Sequence, residues 1–138
     1  MFYLGAGSGG RLSVLDAIEL PTTYGIPKGM VNVILAGGVD RLADALEQME
    51  DDTTGGWLAL QEENISANDF VIGITASGTT PFCVKCFEGM QKNNITTGCI
   101  VSNPGSPVAA VADYPVEAIT GPEFITGSTR MKCGSAQK

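Results

Sequence analysis

The chain has 138 residues, 43% of them hydrophobic and 17% charged, with 18 glycines and no low-complexity tract. That is the make-up of a folded chain long enough for one hydrophobic core, and it excludes a disordered or fibrous protein. Eight basic against fifteen acidic residues leave a net charge of −7, which repels nucleic acid and anionic membranes because the basic residues are scattered, apart from Arg130 and Lys132.

Along the chain, short β-rich apolar runs alternate with helical patterns, as in a parallel sheet covered by helices. FYLGA at 2–6 opens on a strand and leads into the glycine-rich turn GAGSGG. Leu12, Leu15 and Ile18 then mark a helix that carries Glu19 to its end before Pro21. MVNVILA at 30–36 is the second strand, and Leu42, Ala45, Leu46 and Met49 mark a second helix ending in Glu50, Asp51 and Asp52. Trp57, Leu58, Leu60 and Gln61 suggest a short third. NDFVIGITA at 68–76 is the clearest strand, its unbroken apolar run suited to burial on both faces. A helix from Pro81 to Lys92 follows, then TTGCIVS at 96–102 as a strand and a short helix from Pro107 to Ala112. YPVEAI at 114–119 is a weaker strand, placed at an edge by Pro115. A helix starts near the final residues, and the abrupt ends suggest a piece of a longer protein. The fold class is therefore α/β: a doubly wound parallel sheet of about five strands flanked by helices.

No apolar run approaches the roughly 18 residues of a membrane span. The first residues lack the basic end and cleavage site of a signal peptide, so the expected location is the cytoplasm. Cys83 and Cys86 form a C-x-x-C pair inside an apolar helical pattern, and with Cys99 and Cys133 they read as buried, reduced thiols and not as a metal or redox site. The chain contains no histidine, so a general acid or base must be a carboxylate, lysine, tyrosine or cysteine.

GAGSGG fits the dinucleotide spacing G-x-G-x-x-G, but the ribose-binding acid expected about 20 residues on is missing, because the second strand ends in Ala36-Gly37-Gly38. A nucleotide-triphosphate loop fails too, since Arg11 and Leu12 stand where lysine and a hydroxyl are required. The amides of Ser8, Gly9 and Gly10 at a helix start remain as a general anion site, beside the plainer reading of a tight turn without ligand. TASGTTP at 75–81 offers three hydroxyls after a buried strand, with Thr80 at the N-cap and Pro81 at the first helical position. Such a turn suits a phosphate monoester. SNPGSP at 102–107 ends the next strand, and three turns of this kind at the carboxyl ends of parallel strands point to one crevice.

Glu19 and Glu50 are read at helix C-termini, where the dipole disfavours acids by roughly 0.3–1 kcal/mol each. Such placement raises a carboxylate pKa, which suits proton transfer near neutral pH; solvated helix ends with ordinary behaviour are the alternative.

GAGSGGRLSVLDAIELPTTYG, AGGVDRLADALEQMEDDTTGG, VIGITASGTTP, SNPGSP and GPEFITGSTRMKCGSAQK, in that order, resemble the N-acetylmuramic acid 6-phosphate etherases, whose core is a SIS (sugar isomerase) domain. The resemblance covers essentially the whole chain, residues 1–138 as one sugar-phosphate-binding domain, and the last segment is its most specific part. It implies a flavodoxin-like sheet, a homodimer, an amino sugar phosphate as substrate, and no metal or redox cofactor. The implied reaction removes the C2 proton, eliminates D-lactate from C3 and adds water, giving N-acetylglucosamine 6-phosphate in cell-wall sugar recycling. By resemblance Glu19 is the acid that helps lactate leave and Glu50 the base, the two converging on the sugar. Ser77, Gly78, Thr79 and Thr80 would hold the phosphate, with Ser8 and Gly9 from the first turn. Asn103 and the segment containing Glu123, Ser128 and Lys132 would line the sugar pocket, with Arg130 or Lys132 a candidate partner for lactate or phosphate. The family usually has Thr-Ser in place of Ser8-Gly9, and Ser before and Pro-Pro after the first glutamate, in place of Ile18 and Leu20-Pro21. Family members are also considerably longer. The glucokinase regulatory proteins share these turns, so a non-catalytic sugar-phosphate sensor is the rival expectation. An aldose-ketose isomerase, or an incomplete chain whose exposed faces pair with another subunit, comes after it.

Overall fold

The computed structural model describes residues 1–44 and 47–138. Five parallel strands, β1 (Phe2–Gly5), β2 (Asn32–Leu35), β3 (Phe70–Ile74), β4 (Thr96–Val101) and β5 (Tyr114–Glu117), form one sheet in the order β2-β1-β3-β4-β5. All five were expected from the sequence, and the edge position of β5 follows from Pro115, which has no N–H to give a second neighbour. The register sets Gly5 of β1 beside Leu35 of β2 and Ile74 of β3, so the three strands end level with one another.

Helix α1 (Gly7–Tyr24) follows β1 and packs with α5 (Lys132–Gln137). Across the sheet, α3 (Pro81–Lys92) packs against both α2 (Gly55–Glu62) and α4 (Pro107–Val111). The core lies mainly under α3, where Leu4, Val71, Phe87, Met90, Val101 and Val108 are fully buried. Cys83, Cys86 and Cys99 belong to it, and all four cysteines are buried free thiols, as expected. Burial is also the main reason the Cys86 thiol is pushed up to about 12, far from a reactive thiolate.

Two helical expectations need correction. The first helix does not stop at Glu19: it passes through Pro21 to Tyr24 and ends on Gly25, whose left-handed φ of 69° lets its N–H reach the Pro21 carbonyl at 3.0 Å. Pro21 costs one ladder bond, but its ring lines an apolar hollow with Ala17, Ile26 and Pro27. The expected helix over Leu42–Met49 is replaced by 3-10 turns at Val39–Arg41 and Glu47–Asp51, while Ala45 and Leu46 lie outside the described residues. The carbonyls of Leu42 and Asp44 accept hydrogen bonds from the Arg11 side chain, which ties this stretch to α1. Among the described residues, no helix is long and apolar enough to cross a membrane.

Candidate functional site

The chain crosses to one side of the sheet after β1 and to the other after β3, and where neighbouring parallel strands diverge in this way a crevice opens at their carboxyl ends. The two glycine and hydroxyl turns border it. Gly9 and Gly10 let α1 start hard against the strand ends: an added Cβ would stand 2.7 Å from the Ile74 carbonyl oxygen at Gly9 and 2.8 Å from the Gly5 carbonyl carbon at Gly10. The Gly10 N–H donates to the Ala6 carbonyl at 3.0 Å, so only the amides ahead of it are outside the helical ladder.

Gly7, the first helical residue, has φ 53° and faces Glu50. A Cβ at Gly7 would lie 3.3 Å from Glu50 Cδ and closer still to Oε1, so only glycine leaves room for this carboxylate at the start of α1. Glu50 lines a cavity of about 110 Å³ with Gly7, Ser8, Arg11, Glu47 and Arg130 among others. Burial raises its pKa first of all, then the Glu47 charge; Arg11 opposes this, and Asp51 adds to it. The expected direction is therefore present, led by burial and Glu47, with Asp51 the one following acid that contributes. Glu50 sits near the end of a five-residue 3-10 turn, in place of the longer helix expected, and beside the positive N-terminal end of α1. Asp52 takes no part. Its Oδ1 accepts the N–H groups of Gly55 at 2.9 Å and Thr54 at 3.0 Å, which hold its carboxyl below the usual range and fix the start of α2.

Glu19 lies elsewhere. It is five residues short of the end of α1, so the helix-terminus premise does not apply to it. Its side chain is 58% exposed, with Oε2 3.7 Å from Lys138 Nζ. Eleven residues of helix separate it from Ser8, about 16 Å along the axis. One chain does not bring the two glutamates together.

In the second turn, Thr75 Oγ1 and Thr80 Oγ1 are 3.1 Å apart and hydrogen-bonded, and Ser77 Oγ accepts the Thr79 N–H at 3.2 Å. Thr80 is the N-cap by position, with Pro81 first in α3, but its hydroxyl does not cap the helix as expected. Gly78, at φ 68°, passes where a Cβ would overlap Ser106, and its carbonyl accepts the Val108 N–H at 3.1 Å. Asn103 Nδ2 donates to the Ser77 carbonyl at 3.4 Å, linking the second and third turns.

From the final segment, Thr129 and Arg130 line the Glu50 cavity. Glu123 is engaged in shaping the chain: its carboxylate accepts the N–H groups of Cys133 and Lys132, both at 3.0 Å, and these bonds pull its pKa down. Lys132 Nζ donates to the Pro122 carbonyl at 2.8 Å, and half-buried Ser128 closes a backbone turn to Ile125. Sequence reasoning missed Gly7, Arg11, Arg41 and Glu47 at the cavity. Gly7 belongs to GAGSGG and Arg11 follows it, but nothing local shows that Gly7 makes room for a partner 43 residues away.

Known proteins share this architecture. A family model for the glucokinase regulatory protein N-terminal SIS domain matches residues 1–91, and one for the SIS domain matches residues 58–134. The N-acetylmuramic acid 6-phosphate etherases of Christiangramia forsetii and Bacteroides fragilis are each 52% identical to this chain over all 138 residues. That of Yersinia pestis is 46% identical. The chain spans about half the length of these relatives, 50%, 49% and 47%. Among solved structures, a protein of E. coli CFT073, solved as a complex, superposes with a TM-score of 0.68 at 14% identity, covering 98% of this chain and 61% of the other. The sugar isomerase domain of an RpiR transcription factor from Sphaerobacter thermophilus gives 0.64 at 18% identity, covering 98% and 64%. At such identities these two speak for the fold alone.

Proposed function

The chain belongs to the SIS domain family, and on that premise we propose that it is the sugar-phosphate-binding domain of an N-acetylmuramic acid 6-phosphate etherase, a cytoplasmic carbon-oxygen lyase longer than the 138 residues here. The observation that supports this reading most is the Glu50 carboxylate, lodged against Gly7 in a cavity it shares with Ser8 of the first turn, its pKa raised by burial and Glu47. A base so tuned is ionised only above its raised pKa, so turnover rises with pH through that value.

In this reading Ser8, Gly9, Ser77, Gly78, Thr79 and Thr80 grip the phosphate through hydroxyls and backbone amides. Asn103 and the turn held by Glu123, Ser128 and Lys132 shape the sugar pocket, and Arg130 takes the lactyl carboxylate. Glu50 removes the C2 proton of the open-chain sugar. The C–H electrons become the C2–C3 double bond, the C3–O bond breaks, and Glu19 protonates the departing ether oxygen. Water then adds back, its hydroxyl to C3 and its proton to C2, leaving N-acetylglucosamine 6-phosphate and D-lactate. Because Glu19 stands about 16 Å along α1 from Ser8, it serves the Glu50 of a second copy in a homodimer. The chemistry of this reading uses no metal or redox cofactor.

The full-length protein should release D-lactate from N-acetylmuramic acid 6-phosphate and exchange solvent deuterium into C2. Glu50→Ala should abolish both, and normal turnover in that variant would remove the base assignment. The match to the glucokinase regulatory model over residues 1–91 keeps one rival, a non-catalytic sugar-phosphate sensor. Binding of fructose phosphates without lactate release would favour it.

A further inference from the structure

We propose that Arg11 is a positioning residue for the Glu50 base: its guanidinium fastens the loop that carries Glu50 onto the first turns of α1 and faces the carboxylate across their shared cavity. This rests on the reading of Glu50 as the base.

Arg11, the fifth residue of α1, reaches out of its helix for its contacts. Arg11 makes two. Its Nε donates to the Leu42 carbonyl at 3.1 Å and its Nη2 to the Asp44 carbonyl at 2.6 Å. Both carbonyls belong to the stretch between the two 3-10 turns, ahead of Glu47–Asp51. A planar fork that grips two carbonyls fixes direction as well as distance, which the single ammonium of lysine does not. The same guanidinium lines the cavity that holds Glu50 and Ser8. Thus one side chain registers the base against the turn assigned to the phosphate.

The charges around Glu50 come from four directions. Glu47 and Asp51 of its own turn disfavour its ionised form, and Arg11 of α1 favours it. Arg41 and Asp44 of the preceding loop line the cavity but bond to each other at 2.8 Å, and Arg130 reaches in from the final segment. Behind it, on α3, the Cys83 thiol is neutral, held so by burial. Arg11 is therefore the cation that both opposes Glu47 and holds the loop.

The test is the pH profile of C2 deuterium exchange, as kcat/KM, in the full-length protein carrying Arg11→Lys or Arg11→Gln. Arg11→Gln, which removes the charge and the fork together, should lower kcat at every pH as Arg11→Lys does and in addition move the acidic limb to higher pH, so that the loss is about tenfold greater below the limb than above it. Arg11→Lys keeps the charge but not the fork, so its limb should stay in place while kcat falls at every pH with KM little changed. Parent-like profiles in both variants, or an equal loss at all pH values in Arg11→Gln, would overturn the proposal. If Arg11→Gln does not fold, Arg11→Lys decides: a parent-like kcat overturns the positioning role. Failure of the parent protein to exchange C2 deuterium would instead remove the etherase reading itself.

Discussion

A single missing Cβ decides where the proposed base lies. Gly7 combines a left-handed φ of 53° with a carboxylate packed where its side chain would be, so Gly7→Ala displaces Glu50 and strains the backbone together. A base shifted by about 1 Å loses roughly 100-fold in rate, so exchange at C2 should fall by about that factor. The left-handed alanine should cost about 1–2 kcal/mol in urea unfolding. A variant with parent-like exchange would show that Glu50 does not work from beside Gly7. At this scale Glu50 was legible in the sequence as a candidate, its proposed role as base carried by the resemblance. The reason for its raised pKa was not, because burial and the approach of Glu47 depend on how the 3-10 turn folds back over α1. Likewise Glu123 stands in the motif-rich final segment, but its carboxylate is spent on the amides of α5.

Among the elements, β3 and α3 illustrate how far a local pattern reaches. The apolar run of β3 and the Thr80-Pro81 start of α3 specify both elements from the chain alone. What joins them is Gly73, where an added Cβ would stand 2.6 Å from Phe87 Cε2 and 2.8 Å from Cζ, in a ring that is fully buried. Gly73→Ala should therefore destabilise the protein by about 1–3 kcal/mol, read as a lower urea midpoint with an unchanged slope. No change in midpoint would mean that Phe87 has room to turn aside. The failed helix over Leu42–Met49 is the opposite case. Its apolar spacing was right for a helix, yet Leu42 is 37% exposed and its carbonyl goes to Arg11, a partner 31 residues away that no local spacing reveals. Pro21 failed as a stop signal for a more local reason. The surroundings that accept its ring, Ile26 and Pro27, come after the helix has turned back.

For the molecule as a whole, the proposed roles of Glu19 and Glu50, set against their separation, make the proposed active site a property of two copies. Glu19→Ala and Glu50→Ala chains, each inactive in lactate release, should restore about a quarter of parental activity when refolded together, since half the dimers are mixed and each then has one intact site of two. No recovery from a mixture shown to exchange subunits would return both glutamates to one chain or dismiss Glu19. The strand sequence, the parallel sheet and the turns that border its switch point were all determined by the sequence, because strand hydrophobicity, proline positions and glycine turns act within a few residues of where they stand. The β2-β1-β3 neighbourhood and the cavity shared by Gly7, Arg11 and Glu50 were decided only by tertiary structure. Each of these depends on contacts between residues far apart in the chain, and such contacts leave no periodic mark on the residues that make them.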